Sequence, residues 1–304
     1  MPRSSQRPRL TDAERDARRQ ADRERVEQAA RALLTTDGWR RWIKVRASNG
    51  LSRYSLRNQL LIAIDCHTRG ITPTYVAGFQ AFLALNRCVR QGEKAIHILA
   101  PVTVKQRDEH GEPTDEKKAV VFRAVPVFDV SMTDPLPGRE PVPLTPPTQP
   151  ITGDSHHHLL APLIAHAATL GYHVEIRELP EHGPAGWCDP THQRITVAAG
   201  PANRQVRILV HELAHAHGLD YQQYGRDRSE VLVDCVTYCV LGSLGLDISG
   251  ETIPYIAGWG EDGALEAIRE YAKTIDTIAR HIEDALHPDP TATADAIKPA
   301  RAAA

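Results

Sequence analysis

Apolar positions change their period several times along the chain, and each change marks an element. Residues 11–34 are dense in Arg, Glu, Asp and Ala, the composition of a charged helix laced with i,i+4 pairs. A further helix carries Leu60, Leu61, Ile62 and Ile64, and residues 75–79 lead into another that ends at Asn86. Arg87 to Lys94 reads as a basic turn around Gly92. Residues 95–101 then alternate as a strand, with partner strands over 120–128 across a charged loop, 105–118. Residues 135–150 are Pro-rich with almost no apolar periodicity, the pattern of an extended linker. Beyond it a helix opens near His156, and a hairpin with Trp187 packed on it ends in the β-branched strand 194–198. Gly200-Pro201 breaks the chain, and Asn203 stands where a cap would begin a helix through Val206, Ile208, Leu209, Val210, Leu213 and Ala214. Gly218 can end that helix in a left-handed conformation. Residues 229–245 and 262–286 predict two more helices, the last amphipathic and closing the fold by packing.

Charge divides the chain in the same place. Residues 1–130 hold 24 Lys and Arg against 15 Asp and Glu, a balance of +9, and the rest holds 12 against 23, or −11. The net charge of −2 hides this. A basic half joined to an acidic half points to a polyanion-binding module tethered to something else. The sequence therefore predicts an α+β protein of two domains, 1–134 and 153–286, with a linker at 135–152 and a disordered tail at 287–304. Five cysteines (Cys66, Cys88, Cys188, Cys235, Cys239) are odd in number and lack CxxC spacing, which argues against a disulfide framework. No apolar run spans a membrane, and Met1-Pro2-Arg3-Ser4 has no signal-peptide core, so the expected location is cytoplasmic.

The densest chemistry is His211-Glu212-Leu213-Ala214-His215. Residues four apart on a helix share a face, so both imidazoles can reach one ion, while Glu212 can polarise a water on it without ligating. This is the HExxH arrangement of zinc peptidases. A catalytic zinc needs three protein ligands and an open position. Glu230 and Asp234 lie one turn apart on an otherwise apolar helix, where carboxylates are costly unless paired or bound to metal. One is expected to ligate and the other to orient a histidine. Cys235 and Cys239 read as small buried hydrophobes. His156-His157-His158 reads as solvated, and His217 points off the metal face, as a structural residue or one that supports a ligand from behind. Tyr221, Tyr224, Tyr238 and Tyr255 are candidates for a transition-state hydroxyl, with nothing in the sequence selecting one.

In the basic half, Trp39, Arg40, Arg41, Trp42, Lys44 and Arg46 interleave aromatics with cations, followed by Arg53, Tyr54, Arg57 and Asn58. Single-stranded nucleic acid is bound by this mixture, cations tracking phosphates and rings stacking on bases. An amphipathic core helix explains Trp39 and Trp42 equally well. The candidate contacts are Arg41, Lys44, Arg53, Tyr54, Arg57, Asn58, Arg87, Arg90 and Lys94.

Tyr54-Ser55, Asn58 to Ile62, Gly78-Phe79, Arg87 to Pro101 and Val127 to Ser131 resemble the N-terminal, single-stranded-DNA-binding domain of ArdC-type antirestriction proteins. The C-terminal half resembles the metallopeptidase domain joined to it in that family, related to ImmA/IrrE-type zincins. The resemblance implies an α+β zincin-like domain with HExxH on its active-site helix. It places Glu230 in the third ligand position, with Zn2+ as the metal and Mn2+ an alternative. The sequence departs from the pattern at Asn86, where Gly is usual, and at Val233, where Ala is usual. The implied function is protection of incoming DNA on a mobile element, with single-stranded DNA and a protein substrate as partners. Two rivals stand beside it: a DNA-binding interaction protein with a structural or vestigial metal site, and a regulatory protease that cleaves a repressor.

Overall fold

The structure, a computed structural model, describes residues 12–48, 51–107, 113–144, 149–180, 182–248 and 264–286. The expected tail at 287–304 and Tyr255 lie outside these residues. The chain opens with helices α1 (Asp12–Arg31), α2 (Thr36–Ala47) and α3 (Leu56–Thr68). Thr35 caps α2 by accepting from the Gly38 N–H at 3.0 Å. A small β region follows: β1 (Val76–Ala77), α4 (Phe79–Ala84), β2 (Arg87–Val89), β3 (Ile96–Arg107), β4 (Pro113–Asp129) and β5 (Thr133–Pro135). β3 and β4 form a long antiparallel hairpin with β1 on its other edge, and β2 pairs with β5. The expected loop at 105–118 is mostly ladder, with Lys105 opposite Lys118. Backbone hydrogen bonding carries a hairpin outward once its register is set, whatever the polarity of its side chains.

The second half runs α5 (Leu160–Thr169), β6 (His173–Arg177), β7 (Gly186–Asp189), β8 (Arg194–Ala198), α6 (Ala202–Ala216), α7 (Tyr221–Tyr224), α8 (Arg226–Ser243) and α9 (Ala264–Leu286). Its sheet has the order β6-β8-β7, parallel then antiparallel, so β7 is an edge. Asn203 does not cap α6. It lies inside the helix, fully buried, donating to Pro150 O at 2.7 Å and accepting from the His156 N–H at 2.8 Å. Asp154 serves the helix start instead, its Oδ1 accepting from the Ala202 N–H at 2.6 Å. His156 is correspondingly buried and not solvated, its Nε2 3.0 Å from Leu244 O. His157 and His158 are exposed.

The expected division into 1–134 and 153–286 does not coincide with the division of the core. Ala29, Leu33, Trp39, Trp42, Ile43, Leu60 and Leu61 share one buried cluster with α5, α6, α8 and α9. A smaller cluster (Leu51, Ile62, Cys66, Val76, Ile96, Ile98, Val127, Met132) joins α3 to the hairpin. The apolar face of α2 is wider than its own small sheet can cover, and the C-terminal helices cover it. Gly242 of α8 packs so close to α2 that a Cβ there would stand 2.6 Å from Ala47 O. The contact is locked by charge: Arg46, fully buried, donates to Asp276 at 2.6 Å and in a fork to Glu283 at 2.9 and 2.8 Å. The 135–152 segment is pinned at both ends, Asn86 Nδ2 donating to Glu140 O at 2.9 Å and Gln149 bridging to Leu246. Among the described residues, no helix is long and apolar enough to cross a membrane.

Candidate metal centre and nucleic-acid surface

α6 is amphipathic, and burying its apolar face leaves His211 and His215 on the side facing α8, with ring centroids 5.3 Å apart. α8 starts at Arg226, three residues earlier than the sequence suggested, because Gly225 turns the chain at φ +72°. Its first turns present Glu230 to both rings. His211 Nε2 lies 3.5 Å from Glu230 Oε2, and His215 Nε2 lies 3.8 Å from Oε1. Ligands at 2.0–2.1 Å from a tetrahedral ion stand roughly 3.4 Å apart, so this spacing suits one ion. Ligand atoms of His211, His215 and Glu230 all fall within 4.8 Å of one another.

The remaining nitrogen of each ring is also held. His215 Nδ1 is 2.7 Å from Leu219 O, and His211 Nδ1 is 3.5 Å from Asp234 Oδ1. Asp234 thus stands behind His211, on the side away from Glu230. A donor set of two imidazoles and one carboxylate, each imidazole oriented from behind, fits a zinc-like ion with a position left open. Burial alone would lower His211, but the Asp234 hydrogen bond and the charges of Glu212, Asp234 and Glu230 raise it overall. His215 is lowered, chiefly by burial.

Glu212 is buried at 6 % exposure and faces β7, where the Cys188 main-chain N–H donates to it. Burial, with Glu230 adding to it, pushes its carboxyl up to about 7. Gly186 is the residue that lets β7 come so close. A Cβ there would lie 2.5 Å from Ile208 Cγ2, 2.8 Å from Thr196 O and 3.2 Å from Glu212 Oε1. A glycine inside a strand pattern is a signal of close backbone approach, and it was present in the sequence. The two histidines, Glu212 and Glu230 open onto a cavity of about 430 Å³, walled by Trp187 and Cys188 on one side and Tyr221 and Arg226 on the other. Of the tyrosines named from sequence that the structure describes (Tyr221, Tyr224 and Tyr238), Tyr221 lines this cavity. Cys235 and Cys239 are buried, and none of the five cysteines is in a disulfide. His217 pairs with His166, nitrogen to nitrogen at 2.8 Å, and burial with His166 and His281 pushes it down to about 4.

The cationic candidates separate. Arg53 is exposed and lies over the rings of Tyr54 at 5.5 Å and Tyr75 at 5.1 Å, while the Tyr54 hydroxyl donates to Val76 O at 2.8 Å. Lys44, Arg57 and Lys94 are exposed and Arg41 is half-buried. Three other residues are engaged in contacts within the chain, Arg90 from an exposed position. Asn58 is buried and bonds the Leu99 main chain twice, both at 2.9 Å, so both atoms of its amide are spent within the fold. Arg87 holds Thr133 at 2.7 Å, and Arg90 is tied to Glu93 at 2.7 Å and Asp134 at 3.4 Å. Trp39 and Trp42 are both fully buried, packed edge to face at 5.0 Å, which removes them as base-stacking platforms.

Residues 24–128 match the family model of the N-terminal domain of anti-restriction factor ArdC. The match takes in the resembling blocks from Tyr54 to Phe128, and also α2, whose apolar face lies in the core shared with α6 and α8. Two crystal structures of the antirestriction ArdC protein from plasmid R388 overlap the chain at 18% identity. The metal-free one has a TM-score of 0.45 and covers 76% of this chain and 85% of its own; the Mn(II)-bound one has 0.43, 76% and 84%. No curated protein matches the chain.

Proposed function

We propose that this is an antirestriction-type protein that binds single-stranded DNA through its ArdC-type domain and carries a zinc-dependent peptidase centre at His211, His215 and Glu230. The observation that carries the reading is the convergence of three ligand atoms within 4.8 Å beside a buried Glu212. Asp234 takes the supporting role, orienting His211. A bound Zn2+ or Mn2+ would polarise a carbonyl and acidify a water. Glu212 then accepts a proton on a carboxylate oxygen and returns it to the leaving amine. The Cys188 N–H fixes that carboxylate, and β7, as a sheet edge on the cavity, offers its backbone to an extended peptide. The exposed Arg53 set between Tyr54 and Tyr75, with Arg57 and Lys44, supplies cations and rings for unpaired bases.

Metal analysis after loading with Zn2+ or Mn2+ tests the centre. Wild type and Asp234→Ala should retain an ion, the latter more weakly, and Glu230→Ala should lose it; equal retention in all three refutes the site. Glu212→Gln should bind metal normally yet lose hydrolysis of a casein probe. If protection of incoming DNA survives Glu212→Gln, the metal centre serves binding alone. For the DNA half, oligo-dT affinity of the full chain should fall linearly with log salt concentration.

A further inference from the structure

Glu230 is held by more than the two histidines. Tyr221, the first residue of α7, donates its hydroxyl to Glu230 Oε1, the same oxygen that faces His215 Nε2 at 3.8 Å. Its ring stands edge-on to the His215 ring, centroids 5.5 Å apart, and lines the cavity. The chain delivers Tyr221 there by a short local route. Gly218, at φ +100°, ends α6 and turns the backbone back. Leu219 then turns its carbonyl to His215 Nδ1 and to Ser229 Oγ, at 2.7 and 2.5 Å, so the loop is fastened to α6 and α8 together. Asp220 caps α7 by accepting from the Gln223 N–H at 2.8 Å, and Gly225 closes the segment at φ +72°.

We propose that Tyr221 is a positioning residue of the metal centre: its hydroxyl fixes the rotation of the Glu230 carboxylate so that both oxygens stay turned toward the imidazoles. The inference rests on the metal reading above and names a residue that reading does not require. Three supports then surround the ligand set, one per ligand: Asp234 behind His211, the Leu219 carbonyl behind His215, and Tyr221 on Glu230. Tyr221 is 49% exposed. Its ring therefore contributes little to the core, and its removal acts on Glu230 more than on folding. A free carboxylate has a broad terminal torsion, so a ligand without such a support spends much of its time misdirected.

The test is Zn2+ affinity by chelator competition on the full chain, for wild type, Tyr221→Phe, Glu230→Gln and the double variant. Tyr221→Phe keeps the ring against His215 and removes only the hydroxyl. Loss of such an outer support should weaken Zn2+ binding by about tenfold or more. It should add nothing further once Glu230 is already Gln, because the hydroxyl acts through that carboxylate. The metal-free urea midpoint should not move, and the visible spectrum of the Co2+-loaded protein should change with the carboxylate's orientation. Wild-type affinity and spectrum in Tyr221→Phe overturn the inference alone. Additive losses in the double variant also overturn it, since Tyr221 would then act elsewhere. Failure of wild type to bind Zn2+ or Co2+ overturns the metal reading and this inference with it.

Discussion

Removing the Arg46 side chain should destabilise both halves of the protein at once. The guanidinium is fully buried, 2.6 Å from Asp276 and forked onto Glu283 at 2.9 and 2.8 Å. Breaking a buried pair from one side costs about 3–5 kcal/mol, because the partner charges stay buried without compensation. Some compensation remains here. Asp276 keeps Arg280 at 3.0 Å and Gln59 at 3.2 Å, and Glu283 keeps the Ser243 hydroxyl at 2.6 Å. Arg46→Met should therefore fall at the lower end, about 3 kcal/mol. With a urea slope of about 3 kcal/mol/M, the midpoint drops by about 1 M. Adding Glu283→Gln should recover part of the loss, since the most exposed orphan charge is then gone. Equilibrium urea unfolding of the metal-free chain, followed by tryptophan fluorescence and far-ultraviolet dichroism, is the assay. Because Trp39 and Trp42 share a core with α8 and α9, both signals should shift together. A midpoint change below about 0.2 M, or a fluorescence transition that moves while the helical one stays, refutes the shared-core reasoning.

Three further outcomes follow from the same geometry. Gly186→Ala should cost about 1–3 kcal/mol through overpacking, since the new Cβ meets Ile208 at 2.5 Å and a backbone carbonyl at 2.8 Å; an unchanged melting temperature argues against it. Asn58→Ala should destabilise by about 1–3 kcal/mol while leaving oligo-dT affinity untouched, because both amide atoms are spent on Leu99; a selective loss of DNA binding reverses that assignment. Glu212 has a folded value of about 7 against 4.5 for the ordinary group, so the folded chain holds its proton longer than the unfolded one. That contribution to stability is complete below 4.5 and is lost as pH rises through 7. Glu212→Gln should therefore stabilise the metal-free chain above pH 7, by on the order of 3 kcal/mol, and make little difference below pH 4.5. A Gln variant no more stable than wild type at pH 8 contradicts this.

Local pattern was enough for most elements because it depends on near neighbours alone. The i,i+4 spacing of His211 and His215, the strand at 194–198 and the turn at Gly218 are fixed by residues within one turn or strand, and the structure has them where the pattern puts them. Local pattern failed where a polar residue was captured by a distant segment. Asn203, a good cap by type, is drawn into the helix by Pro150 and His156, some fifty residues upstream. Asn58 is claimed by a strand. Trp39 and Trp42 carry both a stacking and a packing reading in one dimension, and burial against α8 and α9 chooses between them.

The amino-acid sequence by itself determined the chemistry available: two imidazoles on one helix face with a base next to the first, two carboxylates a turn apart on the next helix, and an excess of cations in the first 130 residues. Only the tertiary structure decided how that chemistry is distributed. Glu230 faces both Nε2 atoms and Asp234 faces the Nδ1 of His211 because α8 crosses α6 at one rotation and not another. The boundary between the halves was likewise a matter of tertiary structure. A proline-rich segment marks where the chain runs extended, but which apolar faces meet across it depends on shape and area. Here α2 buries its tryptophans and Arg46 among the helices of the other half.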